Sequence, residues 1–500
     1  MLFSHDATYY GQGIKEGQWS CLELTQACLA NTEKLDPLLN AITEVYTESA
    51  IEQAKARDLT LAKLNHQERQ ELSPFYGLPY LLKDLGQFFQ GHPTTAGSSL
   101  LLKDRASQTD LALQQGQKAG LVYWGRSNVP EFGLKTVSDS KYFGKVANPL
   151  NLAYNPGGSS GGAAAAVKSG MAPIAAASDA GGSIRVPASD TGLIGLKPSR
   201  GRIAQGPNRY RPVNGLATQL VLAKSVRDVF NALKVFQSDQ LTAIHHLPVI
   251  QESLLHPLDR PLKIAYSSQD PRGNKLSNQA QKALKKAVSS LRDLGHEVIE
   301  IDLPVDYDAV MAAYYTIMAT ETGYLVHQLE KKGQSIDFEA LDPLTWVTYQ
   351  LADQMPASAY IHFAGQQDQW VESMQMLLQD WDLFLTPTCS APAVKNSDLV
   401  YPQGLLDQIQ AMANMSFEQK WQVAKTAFDF TYLRTSYCPL LNITGQPGIS
   451  LPIYQDETGL AMGVHFTAAV GKEYLLLQIA QALEAQGKLH AEICKLIEPA

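Results

Sequence analysis

Cysteine is scarce: Cys21, Cys28, Cys389, Cys438 and Cys494 are the only five in 500 residues. An odd, scattered set with no Cys-x-x-Cys pair excludes a disulfide framework and a thiolate zinc site, so the thiols read as reduced, structural groups. Charge is also sparse, at 18% of residues, and there is no basic excess, with 41 Lys+Arg against 49 Asp+Glu. Without a basic face, nucleic acid is excluded as a partner. No uninterrupted apolar run reaches membrane-spanning length, and Met1-Leu2-Phe3-Ser4-His5-Asp6 lacks the charged and apolar regions of a signal peptide. These absences predict a cytoplasmic protein with no membrane or nucleic-acid partner. Internal repeats and low-complexity tracts are missing too.

What is present fits an ordinary enzyme: 45% apolar residues and a length beyond the usual limit of one hydrophobic core. Residues 1–70 read as a helical wrapping. Ser20-Cys21-Leu22-Glu23 has the spacing of a capping box, Cys21, Leu24 and Cys28 share one face, Pro37 is expected to end that helix, and a second helix is expected over 48–64. Next, Tyr80-Leu81-Leu82-Lys83 has the composition of a buried strand interrupted by a lysine, which must be paired or neutral there. Helix 110–119, strand 120–124, strand 263–266, helix 279–294 and strand 296–301 alternate as in an α/β fold with one extended sheet. Residues 237–257 lose the pattern and read as a surface connection, whose His245, His246 and His256 lack metal-ligand spacing. Residues 303–376 read as mostly helical. The apolar runs 381–388 and 448–453 read as buried strands, and a last helix is expected over 473–486.

The chain is organised around residues 157–202. Gly157-Gly158-Ser159-Ser160-Gly161-Gly162 precedes an alanine-rich helix, and Ser178-Asp179-Ala180-Gly181-Gly182-Ser183-Ile184-Arg185 follows it. Three readings compete. A phosphate loop needs G-x-G-x-x-G or G-x-x-x-x-G-K-[ST], and neither spacing occurs. Close packing of small residues explains the alanines but not the two serines beside paired glycines. A catalytic site explains both: a serine nucleophile needs a base and backbone donors for the oxyanion, and the small run Ala180-Gly181-Gly182 before Ser183 can present its N–H groups as a cradle. Gly157-Gly158-Ser159-Ser160-Gly161 also satisfies the letters of a nucleophile elbow. It follows a loop rather than a strand, however, and no histidine lies nearby.

These residues closely resemble the amidase signature family. The resemblance extends from Leu78-Pro79-Tyr80-Leu81-Leu82-Lys83-Asp84 through Asn128-Val129-Pro130-Glu131-Phe132 and Gly195-Leu196-Lys197-Pro198 to Gly445-Gln446-Pro447. It implies one domain over 1–500 built on a large mixed, twisted sheet with helices on both faces, with the signature core at 76–230, a more variable pocket-lining region at 258–440, and C-terminal strands and helix at 441–500. It also implies a Ser-cisSer-Lys triad: Ser183 as nucleophile, Ser159 (not Ser160) as the bridging serine after a cis Gly158–Ser159 peptide, and Lys83 as base. Ala180, Gly181 and Gly182 are then assigned to the oxyanion hole, with Asp179, Arg185 and Gly158 as supporting residues, and neither cofactor nor metal is implied. Two departures border the site: Ser178 where threonine is usual, and Ser189-Asp190-Thr191 before Gly192.

The implied substrate is a small-molecule amide, linear or cyclic, and the implied assembly a monomer or homodimer. Two rivals stand beside that reading. One is the glutaminase-type amidase subunit of a tRNA-dependent amidotransferase complex; the other is a binding protein that has kept the fold without catalysis. The run Ile203-Ala204-Gln205-Gly206-Pro207-Asn208 and the later Ala223-Lys224-Ser225-Val226-Arg227-Asp228 resemble stand-alone bacterial amidases related to 6-aminohexanoate-cyclic-dimer hydrolase, and retained Lys83, Ser159 and Ser183 argue for catalysis. Pocket walls are expected between 307 and 438, from Tyr314, Tyr315, Met318, Trp346 and Phe428, while Cys389 and Cys438 read as buried thiols.

Overall fold

The computed structural model describes residues 2–239, 244–251, 256–303 and 305–493. Cys494 and two parts of the 237–257 connection, residues 240–243 and 252–255, lie outside the described residues. The expected α/β architecture is present, with 16 α-helices among the described residues around one mixed sheet of 11 strands. Its strands are β1 (Ile42–Val45), β2 (Pro79–Lys83), β3 (Val122–Ser127), β6 (Ala175–Asp179), β7 (Ile194–Lys197), β8 (Thr218–Ala223), β9 (Lys263–Tyr266), β10 (Glu297–Glu300), β11 (Leu383–Pro387), β12 (Gly448–Gln455) and β13 (Ala461–Thr467). Two further strands, β4 (Asp139–Ser140) and β5 (Gly144–Lys145), pair only with each other.

The order β1-β3-β2-β6-β8-β7-β12-β13-β11-β9-β10 puts β2 between two parallel partners, β3 and β6. All five residues of β2 are buried, as a strand covered on both faces requires. Beside it runs the helix Gly161–Lys168, whose eight residues are all buried. A stretch of alanines gives this helix high propensity and no bulk, so it packs close to the strands that carry the site.

The first long helix, Cys21–Leu39, begins with the expected capping box: Ser20 accepts from the Glu23 amide, and Glu23 accepts from the Ser20 amide. Pro37 does not end it. Proline in the last turn removes a single N–H, and the helix stops only at Asn40, whose left-handed φ of 51° breaks the ladder.

Two apolar cores result. One joins the sheet, the N-terminal helices and the C-terminal helix Glu473–Ala485; the other is built mainly from helices Tyr307–Lys331, Pro343–Ala352, Ala357–Asp380 and Phe417–Tyr432. In the second core the Tyr315 ring stacks on Phe428 at 4.7 Å, and Tyr314 meets Tyr432 edge-on at 5.3 Å. No helix among the described residues is long and apolar enough to cross a membrane.

Candidate active site

Lys83 ends β2, and Ser178 and Asp179 end the adjacent parallel strand β6, so these side chains meet at the carboxyl ends of neighbouring strands. Lys83 is fully buried. Its Nζ lies 2.9 Å from Ser159 Oγ, 2.9 Å from Ser178 Oγ and 3.2 Å from the Ser178 carbonyl. Burial lowers the lysine pKa to about 7, against an opposing pull from Asp179. Ser159 follows a cis peptide bond with Gly158 and sits just before the alanine-rich helix. Ser178, which stood out in the sequence only as a departure from threonine, is thus a direct partner of Lys83. A second buried lysine, Lys197, is also lowered to about 7 by burial and by Arg185. Its Nζ donates to the Pro198 carbonyl at 2.9 Å, and it does not line the cavity described below.

Between β6 and the helix Arg185–Thr191, the loop Ala180-Gly181-Gly182-Ser183 is held by one fully buried ion pair. Arg185 Nη2 and Nε donate to the two Asp179 oxygens, each at 2.9 Å. Asp179 also accepts from the amides of Gly182 at 2.7 Å and Ile184 at 3.2 Å. Burial alone would raise the Asp179 pKa, but the Arg185 charge and hydrogen bonds hold it well below the usual carboxylate range. Asn442 completes this anchor, donating to Asp179 Oδ1 at 2.9 Å and accepting from Arg185 at 2.7 Å. His465 lies 3.3 Å from Arg185 Nη1 and is kept neutral, first by burial and then by that cation. Arginine can only donate, so His465 Nε2 accepts. Nothing in the local sequence around Ser183 pointed to Asn442 or His465, which arrive from segments more than 250 positions away.

Two glycines shape the loop. Gly182 has a φ of 121°, open to glycine but strained for other residues, and a Cβ on Gly181 would sit 2.1 Å from the Tyr314 hydroxyl. Because the Gly182 amide is engaged by Asp179, the free donors of the loop are those of Ala180, Gly181 and Ser183, which meet no protein acceptor among the described residues.

Ser159, Ser178, Ala180 and Ser183 line one cavity of about 500 Å³. Ser183 Oγ has no hydrogen-bond partner among the described residues, and Lys83 with Ser159 forms the bonded pair. The expected walls were largely misplaced. Of Tyr314, Tyr315, Met318, Trp346 and Phe428, only Met318 lines the cavity; the four aromatic residues pack into the second core. Apolar lining comes instead from Leu85, Phe88, Phe132, Leu325 and Leu329, and the charged lining includes Arg105, Arg209, Glu321 and Lys332. Cys389 and Cys438 are buried thiols, as expected, and neither lines the cavity. Among the described residues, no group of three or more His, Cys, Asp or Glu side chains is arranged to hold a metal ion.

The family model described as Amidase matches residues 23–477. A lipoamidase of Enterococcus faecalis is 32% identical over 484 residues, 95% of this chain and 62% of that longer protein. The 6-aminohexanoate-cyclic-dimer hydrolase of Paenarthrobacter ureafaciens is 29% identical over 513 residues, 99% of this chain and 97% of that one. The solved structure of a 6-aminohexanoate cyclic dimer hydrolase complexed with substrate superposes with a TM-score of 0.85 at 28% identity, covering 99% of both chains.

Proposed function

The chain belongs to the amidase signature family of hydrolases that act on amides, and on that footing we propose that it cleaves a small-molecule carboxylic amide through an acyl-enzyme on Ser183. The observation that carries this reading is Lys83, buried and lowered to about 7, bonded at 2.9 Å to a serine that shares its cavity with Ser183. A neutral amine has two protons to give and one lone pair. The Ser178 carbonyl can only accept, so it takes one proton of Lys83 and Ser178 Oγ takes the other, leaving the lone pair for the Ser159 hydroxyl proton. Ser159 then accepts the proton of Ser183 as Ser183 Oγ bonds to the substrate carbonyl carbon.

The oxyanion that forms is met by unengaged backbone amides of the loop Ala180-Gly181-Gly182-Ser183, of which Ala180 and Ser183 line the cavity. As the tetrahedral species collapses, the proton on Lys83 returns through Ser159 to the leaving nitrogen and the C–N bond breaks. Water repeats the sequence on the acyl-enzyme and releases the carboxylate. Ser183 and Ser159 are not hydrogen-bonded to each other; the reading requires that contact to close on substrate binding, as catalytic hydrogen bonds commonly do. Asp179 and Arg185 act on the loop and not on the substrate, since both are sealed behind it.

The test is labelling with a fluorophosphonate, combined with amine or ammonia release from aliphatic amides, aryl amides, cyclic amides and glutamine. Wild type is expected to label and turn over, and Ser183→Ala to lose both. Labelling that survives in Ser183→Ala would sink the assignment. Glutamine as sole substrate, with a rate raised by partner subunits, would favour the glutaminase reading instead.

A further inference from the structure

A hydrogen-bond chain runs from the backbone of Lys83 to the cavity wall. The Lys83 amide donates to Gln87 Oε1 at 2.8 Å, and Gln87 Nε2 donates to Gln219 Oε1 at 3.1 Å. The polarity of this chain is set by its first member: a backbone N–H can only donate, so the Gln87 atom facing it is the oxygen. Gln87 must then offer its nitrogen to Gln219, and Gln219 must accept with its oxygen. The Gln219 Nε2 group is left at the free end. Gln87 is buried away from the cavity, whereas Gln219, 7% exposed, lines it, and its Nε2 has no protein acceptor among the described residues.

Register fixes where that free donor lies. Gln219 on β8 is the direct antiparallel partner of Ser178 on β6, so the two side chains stand on the same face of the sheet. Ser178 in turn touches Lys83 Nζ. A fixed N–H₂ donor therefore faces the cavity one side chain from the lysine.

Resting on the proposed amide hydrolysis, we propose that Gln219 is a specificity-determining residue that selects substrates carrying a second carbonyl-type acceptor oxygen besides the scissile amide. An alkyl chain that displaces water from Gln219 leaves a donor unsatisfied, whereas a second carbonyl satisfies it; the difference for one such bond is roughly tenfold in affinity.

The experiment measures Kd on the full-length Ser183→Ala protein, so that its outcome does not depend on turnover. The probes are three chain-matched pairs: succinamide with butanamide, glutaramide with pentanamide, adipamide with hexanamide. At one chain length the diamide is expected to bind about tenfold more tightly, well above the factor of two that having two equivalent ends contributes. Adding Gln219→Met or Gln87→Met should bring that ratio down to about two, the second because an unanchored Gln219 amide is free to turn its oxygen to the cavity. Should Gln219→Met fail to fold, Gln87→Met, outside the cavity, carries the comparison. A ratio near two in the parent at every length, no diamide binding at millimolar concentration, or equal weakening of both members of the pair by the variants would overturn the proposal. Loss of Ser183 labelling in wild type would instead count against amide hydrolysis itself.

Discussion

Lys83 has two linked consequences of its burial. With its pKa lowered from 10.5 to about 7, its neutral form accumulates as pH rises through 7. kcat/KM for amides should therefore climb with pH up to about 7 and level off above it, and a pH–rate profile flat through that range would remove Lys83 as the base. Stability should follow the same group. In the unfolded chain the lysine keeps its proton up to about 10.5, and in the folded chain it releases it near 7. Between those values the unfolded state binds more protons, so stability rises with pH; below 7 both states are protonated and the cost of burying the charge is unrelieved. Relative to Lys83→Met, the wild type should gain up to about 1.4 kcal/mol per pH unit between pH 7 and 10. Denaturant melts of the two proteins at several pH values measure this difference, in which the other titrating groups largely cancel.

The loop from Ala180 to Ser183 is held at two levels. Its base rests on the Asp179–Arg185–Asn442 anchor, and its top rests against helix Tyr307–Lys331 through Tyr314, whose hydroxyl lies 3.1 Å from that of Tyr432. Gly181→Ala would drive a methyl group into the Tyr314 hydroxyl and ring, with contacts of 2.1 and 2.6 Å. Either the loop or the helix must move, and displacing one oxyanion donor costs about 100-fold in kcat. Tyr314→Leu, which deletes the hydroxyl and Cζ, should restore part of that loss in the double variant. Steady-state kinetics on the two single variants and the double provide the check; no recovery in the double variant would mean that the helix does not set the loop.

At the scale of the whole molecule, the segment that follows β3 is joined to the helical layer by a buried ionic cluster. Lys135 Nζ donates to Asp139 at 2.8 Å and to Asp342 at 2.5 Å, and Asp342 caps helix Pro343–Ala352 by accepting from the Leu344 amide. Glu131 adds a third carboxyl by accepting from the Asp342 amide at 2.7 Å. Burial raises the Asp139 pKa to about 6, with Lys135 opposing that rise. Phe132 and Gly133, in the same segment, line the cavity. Lys135→Met leaves these carboxylates without their cation. It should lower stability by about 3–5 kcal/mol at neutral pH, read from denaturant midpoints, because breaking a buried pair from one side strands the remaining charge. A change of less than about 1 kcal/mol would mean that water already solvates the cluster.

The amino-acid sequence by itself determined the family and the class of fold. Paired glycines beside two serines mark tight backbone turns, a lysine in an apolar strand must be lowered in pKa or paired, and the alternation of strand and helix patterns implies a layered α/β molecule. These are local requirements, and local sequence carries them. Tertiary structure decided the rest. β6 and β7 lie in the middle of the sheet, yet their short segments, Ala-Ala-Ala-Ser-Asp and Ile-Gly-Leu-Lys, have weak strand preference of their own and become strands through their neighbours. The aromatic residues of 307–428 looked like pocket walls because aromatics suit both pockets and cores; the packing of four helices turned them into the second core. The meeting of Lys83 with Ser159, Ser178 and the Gln87–Gln219 chain depends on strand order and register across 76 to 132 positions of chain. No local pattern encodes that distance, because it is set by which strands pair and not by the residues that flank either partner.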